Sequence, residues 1–190
     1  MPSNAFSVHL RELLIDAVEL DDSHTQLRTG NPGRQYGLAS LNRAAVVMSV
    51  SAWESYLEEL MREALRALRP PAPSLSAWPA LNAYVMGLLG RFNNPDPTKV
   101  DRLVRECIGI PNVSLSWSWQ NCTPPQAVQR LTGAMENRHK IAHGVNPRPI
   151  IQNHYSSRLP EFFRRLARGT DDAVRNHLIG VHGVAAPWPA

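Results

Sequence analysis

At 190 residues and 43% hydrophobic composition, the chain is long enough to bury one sizeable core and too short for two comfortable ones, so a single domain over residues 1–190 is expected. No apolar run reaches the length of a membrane span, and the opening MPSNAFSVHLRELL is amphipathic from its start, which argues against a span and a secretory signal and predicts a cytoplasmic protein with no membrane partner. The formal net charge is +4, concentrated between Arg138 and Arg175, where eight Lys/Arg stand against three Asp/Glu. That excess suits an anionic polymer, whose counterions are released when its phosphates are neutralised, although arginines on solvated helix faces are also ordinary.

Residues 5–28 carry Phe6, Leu10, Leu13, Leu14, Ala17, Val18 and Leu20 at helical spacing, and Thr29-Gly30-Asn31-Pro32-Gly33 breaks the pattern. Residues 1–35 therefore form a first helix and turn. From Tyr36 to Arg69 no proline intervenes, and Leu38, Leu41, Ala45, Met48, Ala52, Tyr56, Leu60, Ala64 and Leu68 recur every three or four residues, which predicts one long helix. Pro70-Pro71-Ala72-Pro73 ends it. A third helix is predicted over 76–91, and after Asn93-Asn94-Pro95 a short one over 97–107, with Asp96 as N-cap and Pro97 at the first helical position.

Residues 109–123 lack a helical period. Val113, Leu115, Trp117 and Trp119 alternate, so this stretch reads as an ordered, extended segment whose tryptophans anchor it to the core in preference to stacking on bases. Thr123 then caps a helix that begins at Pro124 and runs to Ala142, where Gly144 and Pro147 stop it. Two more helices are predicted, over 150–168 and 171–181, the second capped by Thr170 with Asp171 and Asp172 in its first turn. Residues 183–190 form an irregular tail in which Trp188 is a candidate for docking. The elements describe an all-α, up-and-down helical bundle with additional short helices. Cys107 and Cys122 lack C-x-x-C spacing and read as reduced, partly buried thiols.

Chemistry concentrates in Arg138-His139-Lys140-Ile141-Ala142-His143-Gly144. Arginine offers a permanent, fork-shaped cation to phosphate oxygens, and histidine exchanges protons near neutrality. Cleavage of RNA by its own 2′-hydroxyl requires both. On a continuous helix a five-residue separation rotates by about 140°, so Arg138 and His143 would diverge unless the helix ends at Ala142 or His143 and the histidine folds back, an exit that Gly144 permits. An arginine and a histidine here also suit the negative end of the helix dipole without any substrate. His139 and His143 at i, i+4 could share a metal, but no H-E-x-x-H pattern is present and a third ligand would have to come from His154, His177 or His182, so neither metal nor cofactor is expected. On the long helix, Glu58, Glu59 and Glu63 read as a solvated face with Glu58–Arg62, Glu59–Arg62 and Glu63–Arg66 contacts. Glu54, beside Trp53 in the most apolar part, is the one acid there with a functional reading.

Residues 137–144 resemble the signature of the HEPN superfamily: an arginine, a polar residue, a short interval and a histidine. Four residues intervene here, and His139 is the polar one. Trp53-Glu54-Ser55-Tyr56-Leu57-Glu58-Glu59-Leu60, Arg91-Phe92-Asn93-Asn94-Pro95, Ser116-Trp117-Ser118-Trp119 and the closing Pro187-Trp188 resemble the RiboL-PSP branch, over nearly the whole chain from about residue 40. The resemblance implies a HEPN-type bundle that forms a homodimer in which two Arg/His motifs face each other across a two-fold axis. It also implies a metal-independent endoribonuclease acting as a toxin or in phage defence, with an antitoxin-like protein as a possible partner. Carried over by position, Arg138 and His143 take the catalytic roles, His139 the polar position and, by a looser match, Glu54 that of an acid on the long helix. From its place beside them, Asn137 is a further supporting residue, and Lys140 is the candidate for binding the RNA substrate. Two other readings stand beside this one: a non-catalytic module that binds RNA, a nucleotide or a protein partner, and a helical interaction protein whose motif only caps a helix.

Overall fold

Apolar residues three and four apart become the buried stripes of amphipathic helices. The computed structural model describes residues 1–30, 37–71, 77–145 and 149–188. After a π-turn at Ala5–His9, α1 spans Leu10–Leu27 and buries Leu10, Leu14 and Ala17. α2 spans Leu38–Ala67, α3 Trp78–Leu89, α4 Pro97–Ile108 and α5 Pro124–Ala142. A single turn, α6 (Asn153–Ser156), precedes the long α7 (Leu159–Gly180). Among the described residues there is no strand, only an isolated bridge between Trp119 and Cys122, so the all-α class is the one that folds. Asn31, Pro32, Gly33, the predicted helix start at Tyr36, Ala72, Pro73, Ser76, Pro147, Pro189 and Ala190 lie outside the described residues.

Local stop and start signals set the ends of the helices near the site. Asp96 caps α4, its carboxylate accepting from the Lys99 amide at 2.9 Å, and Pro97 opens the helix where an N–H would have no partner. At the start of α5, the Thr123 amide donates to the Gln126 side chain at 2.9 Å.

Two predictions need correction. In place of helices over 150–168 and 171–181 there is one continuous α7, and Thr170 lies buried inside it. Its hydroxyl donates to the Leu166 carbonyl at 2.9 Å and accepts from the Trp117 indole at 2.9 Å, so the side chain that resembled an N-cap is spent within the helix and on a neighbour. The 109–123 segment is likewise not extended throughout. Asp101 on α4 accepts from the Ser114 amide at 2.8 Å and hydroxyl at 2.6 Å, and Val113–Ser116 winds into a 3-10 turn. Val113 and Trp117 are buried while Leu115 points outward.

α2 runs through the middle of the molecule, packed by α1, α4, α5 and α7. At its centre Trp53 is fully buried, stacked on Tyr56 with ring centroids 5.6 Å apart and meeting the edge of Trp117 at 6.1 Å and Phe163 at 6.0 Å. Both polar handles are satisfied: the Trp53 indole donates to the Pro95 carbonyl at 3.3 Å, and the Tyr56 hydroxyl to the Ala167 carbonyl at 2.8 Å. Trp119 is half-buried against Phe162, and Trp188 in the tail is buried.

The amino-terminal turn is fastened by two acids. Asp171 on α7 accepts from the Ser3 hydroxyl and, at 3.2 Å, from its amide. Glu63 on α2 accepts from the Ala5 and Asn4 amides at 2.6 and 3.1 Å. Glu63 is thus buried, not part of the solvated face predicted for it; Arg66 pairs instead with Glu59 at 3.0 Å. The Arg62 contacts with Glu58 and Glu59 form as predicted, at 2.9 and 3.5 Å. Cys107 and Cys122 are free and buried, and burial pushes the Cys107 thiol up to about 12.

Candidate functional site

The end of α5 closes in a Schellman arrangement. The Val145 amide reaches back to the Lys140 carbonyl at 3.3 Å and the Gly144 amide to the Ile141 carbonyl at 3.4 Å. Gly144 has φ +62°, the left-handed conformation that glycine tolerates best, and His143 at the C-cap has left the helix, with φ −91° and ψ 6°. The cap inferred from Gly144 forms, and it turns His143 out at the exposed helix end.

His143 and His139 lie together there, with ring centroids 4.3 Å apart and planes inclined by 46°. Both are exposed, as is Lys140. Arg138 is half-buried, and its charge opposes that of Glu54 on α2. Its guanidinium makes no hydrogen bond or ion pair among the described residues. The structure therefore sets the charge of Arg138 against Glu54 and His139 against His143, and no hydrogen bond joins Arg138 to His143.

Glu54 is half-buried one residue after Trp53. Burial raises its carboxyl above the ordinary range, while Arg138, hydrogen bonding from the Asn94 backbone and the charge of Lys99 pull it back, and Glu58 adds to the rise. Asn94 stands at φ +52°, its carbonyl accepting from the Asp96 amide at 2.7 Å. Asparagine is among the residues that tolerate this conformation. The turn at Asn93-Asn94-Pro95 thus does three things: it presents Asn94 to Glu54, the Pro95 carbonyl to Trp53 and the Asn93 carbonyl to Lys99 at 3.1 Å.

Asn137 faces a different neighbour. It lies beside the buried Tyr155 phenol, which burial pushes up and Asn137 partly restrains, without reaching hydrogen-bond geometry. Neither Tyr155 nor Lys99 was singled out by the sequence reading; each comes from a segment remote from the motif. Lys99 had a usable signal in its place three residues after the Asp96 cap, which sets it in the first turn of α4 beside the asparagine turn.

Among the described residues no three His, Cys, Asp or Glu side chains converge to hold a metal ion. His177 and His182 stack edge to face at 5.2 Å, and each approaches the Ile108 carbonyl, at 2.9 and 3.1 Å, at the carboxyl end of α4. No described helix is long and apolar enough to cross a membrane.

An all-α bundle of this kind is the architecture of a HEPN-type domain. Residues 11–176 match the model of the RiboL-PSP-HEPN family, and the chain belongs to that family. The match begins well before residue 40, so the first helix is part of the likeness. No curated protein and no solved structure gives a significant match. HEPN domains are often ribonucleases, and they commonly bind RNA and dimerise.

Proposed function

We propose that this protein is a metal-independent endoribonuclease whose site is completed by a second copy of the chain. The observation that carries this reading is the state of Arg138: a half-buried guanidinium with no ion pair among the described residues, opposed only at longer range by Glu54. A half-buried cation with no ion pair among the described residues favours an anion that completes it, and a phosphodiester is such an anion. His143, turned out of α5 against His139, is the group able to exchange a proton beside it.

In the reaction so read, the 2′-hydroxyl oxygen attacks phosphorus and passes its proton to one His143. The bond to the 5′-oxygen breaks, that oxygen takes a proton from water and His143 returns its own to solvent, while the arginine at that phosphate comes from the second copy. Arg138 offsets the charge that builds on the phosphorane oxygens. His139 orients His143, Lys140 draws in the RNA backbone, and Glu54 holds Arg138 toward the cleft. Asn137 acts at one remove, steadying the end of α5 against Tyr155. The products are a 2′,3′-cyclic phosphate and a 5′-hydroxyl, and DNA, lacking the nucleophile, is left whole. A toxin or phage-defence role, with an antitoxin-like protein to restrain it, is the biological setting that such an activity fits.

The test is incubation of the protein with a labelled structured RNA in EDTA, beside the Arg138→Ala/His143→Ala variant checked for helical content. Cyclic-phosphate ends from the native chain alone are expected. Equal cleavage by both would overturn the assignment of the site, and loss of cleavage in EDTA the metal-independent scheme. Tight RNA binding without product would instead assign a binding module.

A further inference from the structure

Beyond the Arg138 centre, a pocket of about 300 Å³ opens between the end of α3 and one face of α4, at the small end of the range for ligand sites. Lys99, Arg102, Leu103 and Glu106 stand at i, i+3, i+4 and i+7 on α4, so they share that face. Arg91, Phe92 and Asn93 form the opposite wall. Leu103 is buried and Leu88 half-buried, giving the pocket an apolar base.

The polar groups are distributed unevenly along it. Lys99 lies at the amino-terminal end of α4, tied to the Asn93 carbonyl at 3.1 Å and side-chain oxygen at 3.3 Å. Arg91 donates through Nε to the Gly87 carbonyl at 3.0 Å, leaving its terminal nitrogens to the pocket. Arg102 and Glu106 form no hydrogen bond or ion pair among the described residues. Glu106 stands seven residues beyond Lys99, about 10 Å along the helix axis.

Three cations argue against a bound metal ion, and the carboxylate at the far end argues against a bare anion filling the pocket. A ligand with a phosphate at one end and N–H donors at the other satisfies both ends. We propose that this pocket is a nucleotide subsite, in which Lys99, Arg102 and Arg91 take a phosphate, Glu106 accepts from the amino group of the base, and the half-buried Phe92 ring lies against the base plane. Guanidinium groups match phosphate oxygens in charge and geometry, and a carboxylate accepts from an exocyclic amine. The subsite adjoins the Arg138 centre, because the asparagine turn that forms its rim also carries Asn94 to Glu54, and Lys99 acts on Glu54 as well. The occupant is therefore a nucleotide of the RNA strand flanking the scissile bond. In naming RNA the inference rests on the endoribonuclease reading, while the pocket chemistry is shared with a free nucleotide.

The experiment measures binding of labelled single-stranded RNA, its 2′-hydroxyls methylated so that it cannot be cut, by fluorescence anisotropy in EDTA across a salt series. It compares the native chain, Arg91→Ala/Arg102→Ala and Glu106→Ala, with short all-cytidine and all-uridine strands, since uracil has no amino group. The double variant, altered at exposed positions, should bind RNA about tenfold more weakly, with a salt slope shallower by about one to two. The native chain should prefer cytidine to uridine, and Glu106→Ala, which removes the acceptor, should abolish that preference. Unchanged affinity and salt slope in the double variant would overturn the proposal, and so would a cytidine preference that survives Glu106→Ala. Competition by CMP as tight as by the strand would assign a free nucleotide, and weak competition the strand. Cleavage is scored separately: native protein that binds through these residues without cutting RNA would overturn the nuclease reading and leave the subsite standing, whereas normal cutting with pocket-independent binding would do the reverse.

Discussion

Asp171 is a carboxyl that folding takes out of water. It is fully buried, and burial pushes it up to about 6 against an ordinary 3.8, the Ser3 hydroxyl and amide restraining the rise. A carboxyl raised on folding holds its proton more tightly in the folded state. The stability this contributes is complete below about 3.8 and is lost as pH rises through about 6, to a limit on the order of 2–3 kcal/mol. Asp171→Asn keeps an oxygen for Ser3 and cannot ionise. Urea unfolding of both proteins between pH 4 and 7 should show the native chain losing stability relative to the variant as pH rises, and parallel curves would mean that Asp171 titrates as it does in the unfolded chain. Glu63 is raised by burial in the same direction, so a shallower decline should persist in the variant. Glu54, by contrast, carries its raised carboxyl at the candidate site, where Arg138 is the largest influence holding it down.

Helix α7 shows where short-range signals mislead. Gly169-Thr170-Asp171-Asp172 has the composition of a helix break followed by a cap, yet the helix passes through it because Thr170 bonds Leu166 and Trp117, and Asp171 bonds Ser3, far along the chain. Gly169 is there for clearance: a Cβ built on it would stand 2.9 Å from the Ser116 carbonyl oxygen. Alanine would gain up to about 1 kcal/mol in helix propensity and lose about 1–3 kcal/mol to overpacking against backbone. Gly169→Ala should therefore lower the thermal midpoint, and a rise would show that the 3-10 turn yields freely. Helix ends decided by adjacent residues, such as Asp96-Pro97 and the Gly144 exit, were legible in the sequence. Arg138, His143 and Glu54 were singled out through the family likeness, and their roles stand as proposals. What could not be read were the partners: Glu63 turning in to Ala5, Lys99 acting on Glu54, and Arg91 meeting Arg102 across a pocket all depend on how helices pack.

At the scale of the whole molecule, the pairing of Arg138 with His143 is the feature with the largest consequence. Within one chain the charge of Arg138 is set against Glu54 on α2, while His143 lies against His139 at the exposed end of α5. If a two-fold axis brings two motifs together, each phosphate draws its arginine from one copy and its histidine from the other. Arg138→Ala and His143→Ala proteins, each inactive alone, should then complement when mixed and allowed to exchange subunits. In a mixed dimer one arginine–histidine pair is lost twice over and the other is intact. With half the dimers mixed, and one of two pairs intact in each, recovery should reach about a quarter of native activity. The readout is RNA cleavage after co-refolding, with light scattering to establish that the dimers form. Absence of recovery in dimers shown to be mixed would mean that arginine and histidine act from the same chain, which would require the helix end to rearrange around bound RNA.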